Sequence, residues 1–426
     1  MNIYIETHGC TFNQADSEIL SGLLVDKKHK IVDNIEESDI IILNTCYVKQ
    51  PTEQKMITKI RKFQKEYSDK KLIIAGCMVE IDRKMLKKVA PNSSWIGPHQ
   101  LNSIVDIVEN LEHDKIIQDI KRTDDIKVCQ PKIRSNPLIH IIQICEGCTG
   151  NCTFCCTRLA RGKLYSYPSN LIIKEAQNAI NSGCKEIDIT AQDTACYGKE
   201  NNQSFSNLLN ELGQLDGEYR VRIGMMHPKN IIPIQDQVID AFKNHENLYN
   251  FVHLPIQTGS DKVLKEMNRQ HSIDDYKKLI SNFRKNIPEI SIATDIIVGY
   301  PTETEEDFQE TLKLLEEVKF DIIHVSKYMH RPGAISSDLK SVSYEVMKDR
   351  THRLNEVKNK VMFDCNEKYL NTKQKILIID KGKKGGYVGY NNSYKNVIVD
   401  DAVIGSFINV EIVDYKSTYL LSKKIN

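Results

Sequence analysis

No stretch of about 18 consecutive apolar residues occurs in the 426-residue sequence, so it offers no candidate membrane-spanning helix. An excess of one charge is missing too: 58 Lys and Arg stand against 57 Asp and Glu, a formal net charge of +1. That balance excludes a globally basic, non-specific nucleic-acid binder, and any RNA-facing surface must be a local patch. The opening residues MNIYIETHGC carry neither the charged n-region nor the apolar h-region of a secretory signal, so a cytoplasmic protein without membrane contact is expected. Internal repeats beyond a βα rhythm and low-complexity tracts are absent as well.

Cysteine, by contrast, is plentiful, with 12 in the chain. A disulfide framework suits short exported domains and fits poorly here. Metal ligation or thiol chemistry is the better reading of the clustered cysteines. The scattered Cys129, Cys184, Cys196 and Cys365 read as small core residues or bystanders. Hydrophobic content of 40% and charged content of 27% are ordinary for a globular chain. At roughly 100–200 residues per domain, the length predicts two to four domains.

Residues 3–5, 39–44 and 71–76 are short, continuous, β-branched runs, as strands of a sheet covered on both faces should be. Amphipathic patterns such as DSEILSGLLVDK and EQKMITKIRKFQKEYSDK separate them. The alternation predicts an α/β fold: a doubly wound, parallel N-terminal domain over residues 1–112. A polar stretch, 113–137, punctuated by Pro131 and Pro137, reads as a linker. Six further strands are predicted at 138–144, 186–190, 220–224, 251–255, 292–299 and 321–327, with helical patterns between them. Six strand–helix units predict a partial (βα)6 barrel, within a unit bounded at 134–366. A charged helix over 344–371 leads out of it, and short strands with Gly and Asn turns over 367–426 predict a small β-barrel.

The strongest local signal is ICEGCTGNCTFCCTRLARG, which spaces Cys148, Cys152 and Cys155 as C-x3-C-x2-C just after a predicted strand. Three thiolates so close together can hold three irons of a cubane cluster, leaving the fourth open to the amino and carboxylate groups of a small molecule. Gly147 lets the loop turn tightly. Adding Cys145 imitates paired zinc knuckles, but zinc pairs need about 12–20 residues between their CxxC elements. A ferredoxin run has other spacing and a Pro after its last Cys. Cys145 and Cys156 are therefore read as non-ligands.

A second trio is less obvious. Cys10, Cys46 and Cys77 each follow a predicted N-terminal strand, and functional sites of open parallel sheets form at those carboxyl ends. The fold would bring these distant thiols together as ligands of a second cluster. Polar loops follow the later strands in the same way: AQDTACYG, MMHPKN, IQTGSD, GYPTET and YMHRPGA. Any one of their residues, Asp193 or His227 for instance, could be a turn or cap residue. Together they predict a cofactor and substrate pocket at one barrel mouth.

With ETHGCTFNQADSE, NTCYV and AGCM in the first domain, the chain resembles the methylthiotransferases of the radical S-adenosylmethionine superfamily. GCTGNCTFC, ARGKLYSYP, HLPIQTGSDKVLKEMNR, TDIIVGYPTETEEDF and YMHRPGA carry the likeness onward, and the tail is similar to the TRAM domain, a β-barrel associated with RNA binding. Ala334 departs from the Thr that many relatives have after Arg-Pro-Gly. The wording around Cys10 and Cys155 is most similar to the archaeal and eukaryotic branch, which converts N6-threonylcarbamoyladenosine next to the tRNA anticodon to its 2-methylthio derivative. Alternatives are isopentenyladenosine in tRNA or a ribosomal protein as substrate, or a non-catalytic iron–sulfur RNA-binding protein.

The resemblance implies two [4Fe-4S] clusters, one on Cys148, Cys152 and Cys155 that cleaves S-adenosylmethionine, and an auxiliary one on Cys10, Cys46 and Cys77 that supplies sulfur. It further implies cofactor contacts from Phe154, Arg161, Gln192, Asp193, Gln257 and Gly299, with simple loop packing as the other reading of Phe154. Arg158 and Arg161 are expected to meet substrate phosphate or the cofactor carboxylate. Implied partners are tRNA, S-adenosylmethionine and a reducing protein such as ferredoxin or flavodoxin, with the chain itself a monomer. Lysines 373, 375, 381, 383 and 384, interleaved with Tyr387 and Tyr390, form the expected RNA-contacting patch.

Overall fold

The computed structural model describes residues 1–47, 50–118, 123 and 125–425, the side chains of 50–52 excepted. Its first layer is a five-stranded parallel sheet of β1 (Asn2–Thr7), β2 (Lys30–Val32), β3 (Ile40–Thr45), β4 (Lys71–Gly76) and β5 (Ser94–Ile96), in the order β2-β1-β3-β4-β5. Alternate residues serve opposite faces, as the pleat requires. Ile40 and Ile42 pack with Ile19, Leu20 and Ile104 on one side, while Ile41 and Leu43 pack with Met56, Ile60 and Phe63 on the other. Both faces are covered by helices, so the doubly wound expectation holds. The edge strands β2 and β5, three residues each, are too short to show a period in sequence.

The central domain contributes β6 (Ile139–Gln143), a small antiparallel ribbon of β7 (Cys145–Glu146) with β8 (Tyr165–Ser166), then β9 (Glu186–Thr190), β10 (Arg220–Ile223), β11 (Phe251–His253), β12 (Ser291–Val298) and β13 (Ile322–Lys327). Two parallel three-stranded sheets, β6-β9-β10 and β11-β12-β13, are joined by parallel bridges at Val221↔Leu248 and Met225↔His253. The result is an open arc of six parallel strands. Outward-facing Ile187, Val221, Ile292 and Ile323 bury against the helices in one large apolar core.

The helix Tyr344–Asn366, shorter than the predicted 344–371, leads to a closed five-stranded barrel. Its strands are β14 (Lys373–Lys381), β15 (Tyr387–Asn391), β16 (Asn396–Val399), β17 (Phe407–Tyr415) and β18 (Leu420–Lys424). This barrel docks at the N-terminal end of the central strands. The Asn250 N–H donates to Asn392 O at 2.7 Å, Ser393 Oγ to Glu289 O at 2.8 Å, and Lys395 pairs with the buried Asp321 at 3.2 Å.

Docking changes the expected RNA patch. Tyr390 stacks on Tyr394 at 4.2 Å, and both pack with Tyr249 and Phe251 at the foot of the barrel arc. Tyr387 packs against the small barrel's own core, and Lys375 pairs with Glu218. Tyr390 is therefore a partly buried anchoring residue, its ring engaged with Tyr394. Lys373, Lys381, Lys383 and Lys384 remain exposed.

The predicted linker falls partly outside the described residues, which exclude 119–122 and 124. Its described part is pinned rather than slack. Lys127 is buried, the Ile133 N–H donates to Glu18 O at 3.0 Å, and Lys132 pairs with Glu175 at 2.5 Å.

Candidate functional site

Cys148, Cys152 and Cys155 lie on the loop between β7 and the short helix Thr157–Arg161. The Gly150 N–H donates to Cys148 Sγ at 3.1 Å. A Cβ at Gly150 would stand 3.2 Å from that sulfur and 3.9 Å from Cys152 Sγ, so the glycine keeps clear the space between two donors. Burial pushes the Cys148 thiol up to about 12, and the Asp193 carboxylate adds to the shift. Burial likewise raises Cys155. A bound metal takes the thiolate and reverses that preference. Soft donors around a cleared space fit an iron–sulfur cluster.

Cys10, Cys46 and Cys77 follow β1, β3 and β4, and parallel pairing of these strands delivers them to one sheet end. Asn13, at the start of the helix Thr11–Asp26, sits between two of them, its Oδ1 3.9 Å from Cys10 Sγ and 3.8 Å from Cys77 Sγ. A Cβ on Gly9, whose φ is +126°, would come within 2.9 Å of the Cys46 Cβ. The structure thus brings the second trio together around a cleared space, and its donors fit a cluster as well.

The segments that carry the two trios pack against each other. The helix Cys77–Ile81 packs against the helix Thr157–Arg161, and Cys156 Sγ lies 3.8 Å from the carbonyl of Tyr47, the residue after Cys46. A cavity of about 290 Å³, lined by Gly9, Cys10, Gln14, Ile141 and Asp188 among others, runs from the second trio toward the lumen of the central arc. Cys145 points instead into the central core beside Cys196, its Sγ 3.9 Å from Asp193 O, while Cys129 is exposed.

Arg161 departs from expectation. Its guanidinium is 1% exposed, and it donates to Asp16 Oδ2 at 2.7 Å, Asn13 Oδ1 at 3.0 Å and Glu146 Oε1 at 3.2 Å. Lying at the end of a five-residue helix that faces the first domain, it is consumed by internal partners and cannot meet a substrate phosphate. Lys127 also pairs with Asp16, at 2.7 Å, and with Glu146, while His99 approaches Glu146 at 2.9 Å. Burial alone would raise the Glu146 carboxyl, but Lys127, His99 and Arg161 outweigh it and hold the group well below the usual range. Arg158 donates to Gly150 O at 3.1 Å and supports the cysteine loop.

Of the remaining expected residues, Gln192 touches the first cysteine loop directly. Gln192 Oε1 accepts from the Gly147 N–H at 2.7 Å and so fixes the entry to the loop. Asp193 caps the turn Thr194–Cys196 and accepts from the His227 N–H at 2.9 Å and Asn230 Nδ2 at 2.6 Å. Phe154 packs beside Val263, Met267, Tyr300 and Tyr328. Gln257 holds a left-handed φ of +79°, a strained conformation for a residue with a side chain. The Gly299 N–H donates to Glu303 Oε2 at 2.9 Å.

Sequence reading passed over Arg269, whose Nη1 lies 3.5 Å from Cys152 Sγ, and Asn13 beside the second trio. His227 Nε2 is 3.9 Å from Cys152 Sγ. Burial first, then the Arg269 cation, hold that imidazole neutral, with its pKa lowered to about 2. A usable signal was present: Asn13 and Asp16 are polar residues on the stripe of a helix that otherwise buries Ile19 and Leu20.

Three family models match in series: Uncharacterized protein family UPF0004 over residues 2–97, the Radical SAM superfamily over 142–315 and the TRAM domain over 367–425. The fold is similar to a solved radical S-adenosylmethionine methyltransferase, TsrM, from Kitasatospora setae. The TM-score is 0.58 at 11% identity, covering 79% of this chain and 74% of that one. A human threonylcarbamoyladenosine tRNA methylthiotransferase is 32% identical, covering 100% of this chain and 74% of its own. The probable enzyme of that name from Methanothermobacter thermautotrophicus is 48% identical over 99% of both chains. With likeness of that extent along the whole sequence, and both cysteine trios assembled by the fold, this chain belongs to the threonylcarbamoyladenosine tRNA methylthiotransferase family.

Proposed function

We propose that this chain converts N6-threonylcarbamoyladenosine next to the anticodon of tRNA to its 2-methylthio derivative, using S-adenosylmethionine. The observation that carries this reading is the pair of thiol trios on segments that pack together through two short helices, with a cavity lined by Cys10 of one trio and by Ile141 and Asp188 of the central arc. Radical chemistry needs only the first trio, and a sulfur-inserting reaction explains the second.

Cys148, Cys152 and Cys155 are proposed to hold one [4Fe-4S] cluster, and Cys10, Cys46 and Cys77 the other. When bound, the two clusters supply reductive cleavage of S-adenosylmethionine and the inserted sulfur. The chain's own residues orient, bury and shield. Gln192 and Arg158 hold the cysteine loop, and Arg269 places a guanidinium 3.5 Å from Cys152 Sγ. Phe154, Asp193, Gln257 and Gly299 line the mouth where the cofactor enters. Arg161 acts from behind, fixing Asn13 between Cys10 and Cys77.

Three working units follow: 1–112 for the auxiliary cluster, 134–366 for radical chemistry and 367–426 for RNA contact. A ferredoxin- or flavodoxin-like reductant supplies electrons, and the chain works as a monomer. The decisive experiment is mass spectrometry of tRNA nucleosides from cells with and without this protein. Loss of 2-methylthio-N6-threonylcarbamoyladenosine is expected in its absence, and an unchanged level would sink the reading.

A further inference from the structure

Three polar side chains in the lumen of the central arc belong to neither trio: His253 on β11, Asp295 on β12 and His324 on β13. Strand register places them together. His253 pairs with Ala293, two residues before Asp295, and Asp295 pairs with His324, so all three leave the same face of adjacent strands. That face is the lumen, because the alternate residues Ile292, Ile296 and Ile323 lie in the core beneath the helices. Ligand-capable atoms of the three residues all lie within 4.8 Å of one another. His253 Nε2 and Asp295 Oδ2 are 2.8 Å apart, and the two imidazole centroids are separated by 5.6 Å.

A plain Asp–His hydrogen bond would account for His253 and Asp295, but not for a second imidazole set in register with the same carboxylate. Two imidazoles and a carboxylate, with no thiolate among them, are the donor set of divalent first-row transition ions. Two of these ligands sit on rigid backbone. Asp295 O accepts from the Gln257 N–H at 2.9 Å, and His253 O accepts from the Met226 N–H at 2.9 Å. Ion–ligand bonds of about 2.1 Å need donor atoms roughly 3 Å apart. His324 is exposed and can close that gap by side-chain rotation while giving the ion a route in.

We propose that His253, Asp295 and His324 bind one divalent first-row transition cation, at a site distinct from both cysteine trios and with its remaining coordination positions open to the lumen. The site stands whether or not the chain acts on tRNA, because it rests on strand register and donor chemistry alone.

The test uses the holoprotein with both clusters assembled and oxidised under anaerobic conditions. It is dialysed in parallel against Mn²⁺ and Zn²⁺, and bound metal is counted beside iron. Wild type is expected to retain one equivalent of at least one of these ions without losing iron, and retained Mn²⁺ should show an altered manganese resonance spectrum. His324→Ala and Asp295→Asn should each weaken retention tenfold or more at unchanged iron content, which also shows that both variants fold. No retention by wild type, retention undiminished in both variants, or uptake only in proportion to iron lost would each overturn the proposal.

Discussion

At the scale of single residues, each thiol trio depends on groups that touch it without being ligands. Cys10 belongs to the second trio alone. Cys10→Ala is therefore expected to keep reductive cleavage of S-adenosylmethionine, measured as 5′-deoxyadenosine released, and to form no methylthio nucleoside. Full product formation by that variant would remove the case for two clusters. Arg161 poses a different question. Its removal leaves Asp16 and Glu146 buried with fewer cations, and breaking a buried pair from one side costs about 3–5 kcal/mol. Chemical denaturation of Arg161→Gln should show a loss of that size. Arg161→Lys should recover only part of it, since an ammonium restores the charge but not the fork that reaches three acceptors.

Whole elements couple through charge as well as packing. The segment between the first two domains is fastened to the helix Ser169–Asn181 by Glu175, which pairs with Lys132 at 2.5 Å and with His140 at 2.7 Å. Burial would raise the Glu175 carboxyl, but Lys132 and His140 together lower it from 4.5 to about 2. A carboxyl depressed by folding contributes stability that is complete above its ordinary value and is lost as pH falls through the folded value. Stability measured by urea titration should therefore decline from about pH 4.5 toward pH 2. Glu175→Gln should show a shallower decline over that window. Glu146 is shifted in the same direction by Lys127, His99 and Arg161, so acid should loosen the domain junction along with this segment.

Across the whole molecule, charge is nearly balanced, and RNA affinity must come from few contacts. The lysines left exposed by docking of the small barrel are the candidates. Lys383→Ala with Lys384→Ala should weaken tRNA binding and lower the salt slope by about 1 to 2, as loss of one or two phosphate contacts would. Tyr390→Ala should behave differently. Its ring is spent on Tyr394 at the foot of the central arc, so thermal stability should fall with little change in the salt slope. Filter binding across a salt series, alongside melting curves, separates the two effects. Equal salt-slope losses in both would return Tyr390 to the RNA surface.

Local sequence determined a good deal of this. The β-branched runs at 39–44 and 71–76 became β3 and β4 within a residue, because a strand buried on both faces must be continuously apolar. Both trios were legible, one from spacing along a loop and the other from positions just past three strands. Contacts that join distant segments were not. Arg161 read as a cofactor or phosphate contact and Lys127 lay unremarked in the linker, since a charged side chain looks the same in sequence whether it meets a ligand, water or a buried carboxylate. Tyr390 read as an RNA platform for a similar reason, because an aromatic does not announce which surface it will cover. Period and spacing are properties of neighbouring residues, and so they fixed the elements and the thiol sets. The partner of a long polar or aromatic side chain is chosen only when domains pack, and that choice belonged to the tertiary structure.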